Sequence, residues 1–382
     1  MRSLGKHTSR SSLTPSTMTR DFKHEWETYK EHELTRARER LASLGYALDD
    51  SQPHLAGERF LLSGRKLVLV GTRAEDGARV IIKVSSNATG AREIVHEHRL
   101  RTTLPTLPFS YRAFPAPEEL LYEEKNGLTL AITAFIPEEK GFLEHDLREE
   151  FRLALDALKL QESVHAVAYG HTRAIRKVFG MMHAGDYTTA FACFAKEARE
   201  ACPEDPALDK VFSRAAAFMT EHEATIEQYG DFLTHDDFVP HNLRVAGGTV
   251  YLLDYAALHF GNKYESWARF INFMVLYDRP LERALLEYVR RNRTPEEYLA
   301  LRLMRVYKLG FLLKFYAQSA EKTEGDVAAL ARARIAFWTK VLDGVLDDSE
   351  VSDEVVRAYE RERDSLRSEE EKARQRTLKQ LS

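Results

Sequence analysis

The stretch Phe232–Val245, FLTHDDFVPHNLRV, places two histidines, two adjacent aspartates, a proline and an asparagine between apolar flanks. Proline, aspartate and asparagine favour turns over helices and strands, so this pattern predicts a loop that joins two short structured segments. Carboxylate and amide oxygens are also the ligands that Mg2+ prefers in proteins. The stretch therefore predicts a loop that is built around a charged ligand.

The residues that follow this loop complete a candidate magnesium site. Gly247-Gly248 predicts a tight turn, and the apolar run after it ends in a second carboxylate at Asp254. Because Mg2+ keeps several waters and takes further oxygens from phosphates, two protein ligands suffice, and we predict Asn242 and Asp254 in that role. Asp237 is then free to orient an attacking hydroxyl and to accept its proton.

A cation for the phosphates is predicted upstream, in a segment of β character. Its apolar runs, which turn residues separate, are 60–62, 67–70 and 80–84. Alternation in the third run places three aliphatic side chains on one face and Lys83 on the other. A half-buried lysine needs a carboxylate partner, and Glu93 and Glu97 in the helical stretch that follows are the candidates.

The rest of the chain extends this sheet and then becomes helical. Asn126-Gly127 is a strong hairpin signal between the apolar runs 120–122 and 128–135, which gives five antiparallel strands interrupted by one helix. From Pro137 onward the apolar residues recur mainly at helical spacing. The predicted segments are a disordered N-terminus at 1–20, a helix at 21–50, a nucleotide-binding lobe at 51–136, a catalytic and substrate-binding lobe at 137–345 and a charged helical tail at 346–382.

Composition and charge exclude several classes of function. The net charge of −4 is spread over the chain and leaves no basic domain for nucleic acid. No apolar run approaches the ~18 residues that cross a bilayer, so no membrane span is predicted. Two cysteines, Cys193 and Cys202, support neither a disulfide framework nor a zinc site, and a cytoplasmic protein is the prediction. The acid-free, Arg/Ser-rich start is also typical of an organellar transit peptide, or of a chain that begins at Met18.

These motifs together resemble those of the aminoglycoside phosphotransferase and choline kinase-like family, a branch of the protein kinase-like fold. The resemblance rests on HDDFVPHN read as H-x-D-x-x-x-x-N, on LLDY with its aspartate twelve residues after that asparagine, and on VIIKV ahead of a helix. It implies a bilobal α+β fold, with an N-terminal antiparallel five-strand sheet and one helix, and a larger, mainly helical C-terminal lobe. It also implies Mg2+ and ATP or GTP as cofactors.

The resemblance assigns a role to each residue of the loop. His235 would hold the catalytic loop in shape and Asp237 would be the catalytic aspartate, while Asn242 and Asp254 would bind Mg2+. Where the family usually has glycine, this chain has Asp236, so two carboxylates are adjacent. We choose Asp237 because only this aspartate has an asparagine five residues later.

On the nucleotide side, the resemblance implies that Lys83 contacts the α- and β-phosphates and pairs with Glu97. The segment 133–136, with Thr133 and Phe135, would form the hinge against adenine. The loop that covers the phosphates has one useful glycine, Gly64, instead of a G-x-G-x-x-G motif. The backbone contacts of this loop with the phosphates are therefore the weakest element of the prediction.

The acceptor is predicted to be a small molecule. Helical periodicity resumes within about ten residues of Asp254, which leaves no room for the long activation segment of a protein kinase, and Asp236 stands where such kinases carry an arginine. The predicted pocket has aromatic walls and anionic contacts, which suit an amino sugar or a choline-like substrate. Those residues are Trp267, Tyr277, Tyr307 and Tyr316, with Glu265 and Asp278.

Three other interpretations remain open from the sequence. One is a kinase-like binding or regulatory module without turnover, which is favoured by the presence of only one useful glycine in the phosphate-covering loop. Another is a protein-directed kinase or a nucleotidyl transferase. The adjacent His235-Asp236 is also typical of metal-dependent phosphohydrolases, but these enzymes need a further upstream histidine ligand, and the sequence provides no clear candidate.

Overall fold

The computed structural model describes residues 15–55, 65–107, 115–166, 172–369 and 371–373. The strands in these ranges are β1 (Tyr46–Leu48), β2 (Leu67–Arg73), β3 (Arg79–Ser85), β4 (Glu119–Lys125), β5 (Leu128–Ala134), β6 (Phe232–His235), β7 (Leu243–Ala246), β8 (Thr249–Leu252) and β9 (Leu258–Gly261). The helices are α1 (Pro15–Ser43), α2 (Ala88–Thr103), α3 (Leu147–Glu162), α4 (Thr172–Val178), α5 (Ala184–Ala201), α6 (Pro206–Glu221), α7 (Glu223–Gln228), α8 (Glu265–Tyr277), α9 (Arg279–Asn292), α10 (Pro295–Lys322), α11 (Gly325–Leu346) and α12 (Asp353–Leu366).

The small lobe contains a five-stranded antiparallel sheet in the order β1-β2-β3-β5-β4. The two predicted turns are confirmed: Gly77 (φ +71°) joins β2 to β3, and Asn126 (φ +52°) with Gly127 (φ +69°) joins β4 to β5. The fifth strand differs from the prediction. Strand β1 pairs with β2 at the sheet edge, whereas the predicted strand 60–62 lies outside the described residues.

The two faces of this sheet have different neighbours. Ile82 lies between its cross-strand partners Leu69 and Ile132, and this aliphatic face packs against Trp26 and Leu41 of α1. The opposite face of β3 presents Lys83 toward α2, as the alternation predicts. Helix α1 thus covers one side of the sheet, and the other side faces the cleft between the lobes.

The large lobe is built around α10, a helix that packs against α5, α8 and α11. Its middle turns are buried, and Gly310 lets α5 approach closely, because a Cβ at this position would lie 2.3 Å from the ring of Phe191. No helix in the described part of the chain is long and apolar enough to cross a membrane.

Two short β-ribbons, β6–β9 and β7–β8, lie at the top of this lobe. The segment between β6 and β7 is the predicted loop, and it contains a short 3-10 turn, Pro240–Asn242. Gly247 (φ +56°) and Gly248 (φ +75°) form the tight turn between β7 and β8, as predicted. The ribbons therefore hold the ends of the loop at fixed positions.

The charged tail differs from the solvated helix that its composition predicts. Helix α12 packs against α11 and buries Val356 and Tyr359. Arg279 and Arg283 of α9 both bind Asp353 at the start of α12, at 3.4 and 2.7 Å. Two apolar side chains on one face suffice to dock a helix whose other faces are charged. The predicted segment bounds stay predictions, and residues 1–14 lie outside the described ranges.

Candidate active site

A buried lysine joins the two lobes. The ammonium of Lys83 on β3 donates to Glu97 of α2 at 2.5 Å and to Asp254, just beyond β8, at 3.0 Å. The alternative partner, Glu93, pairs instead with Lys66 at 3.3 Å. The structure thus brings together three predicted residues from separate elements of both lobes.

This triad keeps its charges near neutral pH. Burial would lower the pKa of Lys83, but the carboxylates of Asp254 and Glu97 outweigh burial and raise it above its ordinary value. Lys83 in turn holds the pKa of Asp254 well below its usual range. Burial would raise the pKa of Glu97, yet Lys83 and then Arg101, whose guanidinium lies 2.9 Å from this carboxylate, lower it. A fixed cation therefore lies in the cleft at the position predicted for the phosphates.

His235 ties the loop to the segment after β8. Its Nε2 lies 3.2 Å from the carbonyl oxygen of Leu253 and 3.1 Å from that of Asp254. Carbonyl oxygens only accept, so Nε2 carries the proton. Burial lowers the pKa of this imidazole, and its backbone N–H donates to Ser266 at 2.8 Å. Asp254 itself adopts a left-handed conformation (φ +52°, ψ +55°) that aspartate tolerates better than most residues.

Asp237 is fixed from two sides. Its Oδ1 accepts two hydrogen bonds from the guanidinium of Arg269 on α8, at 2.9 and 2.7 Å. Its Oδ2 accepts from the amide of Asn242 at 3.1 Å, and the same amide also donates to the Asp237 carbonyl at 2.8 Å. The spacing of five residues therefore closes a local turn that orients a half-exposed carboxylate.

Asp236 pairs with a different partner. Its carboxylate accepts from Lys308 of α10, which also binds Glu265, and Lys308 lowers the pKa of Asp236. Glu265 is buried and binds two more groups, His259 at 3.0 Å and the Tyr187 hydroxyl at 2.5 Å. The two adjacent aspartates thus belong to separate networks.

Part of the predicted acceptor pocket is wrong. Glu265 is buried in the network just described, and Asp278 caps α9 by accepting from the Leu281 N–H at 2.8 Å. Trp267 is buried and donates to Glu162 at 2.9 Å, and Tyr307 is nearly buried. Helical periodicity identified these side chains as inward-facing, but it does not distinguish a packed core from a cleft. Tyr277 remains exposed and Tyr316 partly so.

The predicted hinge continues β5. Thr133 pairs with Ile81 of β3, and the Phe135 N–H donates to the carbonyl of Arg79 at 3.3 Å. The guanidinium of Arg79 lies 4.2 Å from the centroid of the Phe135 ring. Contact with adenine at Thr133 or Phe135 stays a prediction. Gly64 lies outside the described residues.

The donor set fits Mg2+. Asn242 and Asp254 offer an amide and a carboxylate oxygen, and within the described ranges neither Asn242 Oδ1 nor Asp254 Oδ2 accepts a hydrogen bond. No group of three or more His, Cys, Asp or Glu side chains in the same ranges could hold a metal ion. A site with two protein oxygens suits a cation that takes its other ligands from water and phosphates.

The chain matches solved structures, although no family model and no curated protein matches it. A thermostable mutant of aminoglycoside phosphotransferase APH(4)-Ia, in its apo form, aligns with a TM-score of 0.55 at 16% identity, over 79% of this chain and 95% of that chain. A second such mutant, in a ternary complex with ADP and hygromycin B, aligns with a TM-score of 0.55 at 15% identity, over 83% of this chain and 99% of that chain.

The likeness extends beyond aminoglycoside enzymes. The macrolide 2'-phosphotransferase MphH from Brachybacterium faecium aligns with a TM-score of 0.55 at 17% identity, over 78% of this chain and 97% of that chain. All three alignments cover more than three quarters of this chain and nearly the whole of the other. The chain therefore has the aminoglycoside phosphotransferase-like, protein kinase-like fold.

Proposed function

We propose that this protein is a phosphotransferase that moves the γ-phosphate of ATP or GTP to a hydroxyl of a small molecule. The observation that carries the proposal is the Lys83 triad, which sets an ammonium between carboxylates of both lobes. Such a cation neutralises phosphate charge in a cleft that closes around a nucleotide. The structural neighbours, which are aminoglycoside and macrolide phosphotransferases, support the same chemistry.

The loop residues would position the reaction. Asp237, which Arg269 and Asn242 hold in place, would orient the acceptor hydroxyl and take its proton. The hydroxyl oxygen forms a bond to the γ-phosphorus as the bond from that phosphorus to the β–γ bridging oxygen breaks, and the nucleoside diphosphate leaves. Asn242 and Asp254 would hold Mg2+, which when bound neutralises charge on the phosphates. No covalent enzyme intermediate is required.

The acceptor is a small molecule in this proposal, and amino sugars and choline-like compounds are the set that the sequence predicts. The two acids that favoured an amine, Glu265 and Asp278, are engaged elsewhere, so neither of them supports that set. A non-catalytic kinase-like module is the second candidate, because the predicted phosphate-covering loop has only one useful glycine. The cytoplasmic location of the protein stays a prediction.

Nucleotide binding tests the proposal first. We would measure the melting temperature with ATP and with GTP, each with and without Mg2+, for the wild type and for Asp254→Ala. A ligand that binds only the native state raises the melting temperature by mass action. We expect a magnesium-dependent rise in the wild type and none in Asp254→Ala.

Asp348→Ala is the matched control. Asp348 also adopts a left-handed conformation (φ +51°), so both variants carry the same backbone strain, but Asp348 lies beyond α11, where it binds Arg290 and Tyr298. Its nucleotide response should equal that of the wild type. A wild type that responds to neither nucleotide would rule out the phosphotransferase and favour the non-catalytic module.

A further inference from the structure

We propose that the acceptor carries a planar apolar ring and an anionic group, and that Arg334 recognises the anion. This inference rests on the proposed function and specifies its substrate class. It stands on two aromatic walls that begin at the predicted catalytic loop and on Arg334, which forms no ion pair among the described residues. It replaces the amine-bearing substrate that the sequence predicts.

The first wall belongs to α8. Arg269, Phe273 and Tyr277 follow one another at intervals of four residues, so they form one stripe that begins at the carboxylate of Asp237. The rings of Phe273 and Tyr277 stack at 4.0 Å with an interplanar angle of 9°. His241 of the catalytic loop meets Phe273 edge-on at 5.3 Å. A stack of aromatic rings therefore begins beside the proposed site of transfer.

The second wall belongs to α10. Lys308 binds Asp236, and Phe311 and Phe315 follow at three and seven residues along the same side of the helix. Among the described residues, four large apolar side chains are exposed, and three of them are Tyr277, Phe311 and Phe315. Exposed aromatic rings concentrated beside a reactive loop indicate a binding site for an apolar group.

Tyr316 connects the two walls to a cluster of cations. It lies within electrostatic range of both Arg269 and Tyr277, and the guanidinium of Arg334 lies 5.1 Å from the centroid of its ring. Arg334 also contacts the Tyr359 hydroxyl, but it forms no ion pair with a carboxylate in the described ranges. Arg367, which is also in electrostatic range of Tyr316, has a buried Nε without a hydrogen-bond partner there.

The acids nearby are already engaged. Asp236 binds Lys308, and Asp364 binds Arg363 at 2.8 Å and lies 3.6 Å from Arg367. Near these rings, an incoming ammonium would meet guanidinium groups and two carboxylates, Asp236 and Asp364, that already pair with basic side chains. A carboxylate or phosphate would gain charge-assisted hydrogen bonds from an arginine that is held against an aromatic ring. The charge and the shape of the walls thus favour the same class of acceptor.

Three matched probes test the inference: 4-(hydroxymethyl)benzoate, 4-methylbenzyl alcohol and 4-(aminomethyl)benzyl alcohol. They share a hydroxymethyl-substituted ring and differ in charge. We would measure their dissociation constants by calorimetry with the protein saturated with Mg2+ and a non-hydrolysable ATP analogue, and ADP release with ATP. We expect the benzoate to bind at least about tenfold more tightly than the amine.

Arg334→Gln should weaken benzoate binding by about tenfold and reduce the ratio between benzoate and amine. Arg332→Gln, an exposed neighbour on the same helix, should change neither value. Equal or tighter binding of the amine, or no binding of any probe, would overturn the inference. If the benzoate binds as expected but no nucleotide does, the inferred surface stands and the proposed function fails.

Discussion

Lys83 and Lys308 occupy the same kind of site, a buried ammonium between two carboxylates, yet they act on different parts of the molecule. The partners of Lys83 come from both lobes, Glu97 from the small one and Asp254 from the large one. The partners of Lys308, Asp236 and Glu265, both belong to the large lobe. The lysine side chain is 15% exposed in the first triad and 4% in the second.

This difference separates the ion pair that we propose to be functional from a structural one. The Lys83 triad bridges a cleft, so its geometry can respond when phosphates enter between the lobes. The Lys308 triad continues into His259 and Tyr187 of the same lobe, and its Lys308 and Glu265 are buried, although its Asp236 carboxylate is half-exposed. The two adjacent aspartates of the loop are divided in the same way, since Asp236 belongs to the second triad and Asp237 faces the cleft. A buried lysine–carboxylate triad is therefore no evidence of function until the origin of its partners is known.

The largest expected effect distinguishes these two aspartates. Asp237→Asn should lower kcat by about 10^2- to 10^4-fold, because the amide cannot accept the hydroxyl proton. Nucleotide binding, read as a shift in melting temperature, should persist. The measurement is ADP release with saturating ATP and Mg2+ and the best acceptor found in the probe series.

Asp236→Asn is the control for that substitution. It keeps the shape of the side chain and leaves Asp237 in contact with Arg269 and Asn242, so its kcat should fall much less. If Asp236→Asn proved the more damaging of the two to kcat, the choice of Asp237 as the catalytic aspartate would be wrong.

The second effect compares the two lysines directly. Lys308→Met removes the ammonium that pairs with the fully buried carboxylate of Glu265 and should lower the free energy of unfolding by about 3–5 kcal/mol. Lys83→Met should cost less, about 1–3 kcal/mol, because the guanidinium of Arg101 still pairs with Glu97, whereas the fully buried Glu265 would keep, of its described partners, only His259 and the Tyr187 hydroxyl. Urea titrations of both variants measure these values. The rate of ADP release by Lys83→Met should fall far more than its loss of stability accounts for.

A rescue variant keeps this comparison decisive if Lys308→Met fails to fold. In Lys308→Met, the buried carboxylate of Glu265 has lost its lysine partner. Adding Glu265→Gln removes that unpaired charge. The double variant should therefore recover part of the lost stability. Equal costs for the two lysine variants would contradict the distinction between the triads.

The sequence predicts the first triad and the catalytic loop but not the second triad. Lys83 is detectable from strand alternation, and Asp237 with Asn242 from a local spacing of five residues. Lys308 and Arg269 stand 72 and 32 residues from the aspartates they bind, and no local pattern links them. Their roles depend on how α8 and α10 pack against the loop, which periodicity does not determine.

The same reasoning explains the other differences between prediction and structure. Trp267 and Tyr307 lie on helices that were correctly predicted, but these side chains face the core and not the cleft. Strand β1 is only three residues long, and its pairing with β2 creates a sheet edge that no hydrophobic pattern of that length can predict. Phe311 and Phe315 were missed because an exposed aromatic on a helix has no signal until its neighbours are known.

The smallest effect concerns pH and tests whether the Lys308 network extends to His259. Burial would lower the pKa of His259, but the carboxylate of Glu265 outweighs burial and raises it above its ordinary value of 6.5. A raised pKa in the folded state stabilises the protein below pH 6.5, and this contribution is lost as the pH rises through the folded-state value. Burial lowers the pKa of His235, so that residue makes the free energy of unfolding change with pH in the opposite direction. Comparing the wild type with a variant at His259 isolates the contribution of His259. The free energy of unfolding of the wild type minus that of His259→Gln should therefore fall above pH 6.5, by at most about 1.4 kcal/mol per pH unit. A difference that stays constant across this range would mean that His259 does not share the charge of Glu265, and the second triad would then end at Lys308.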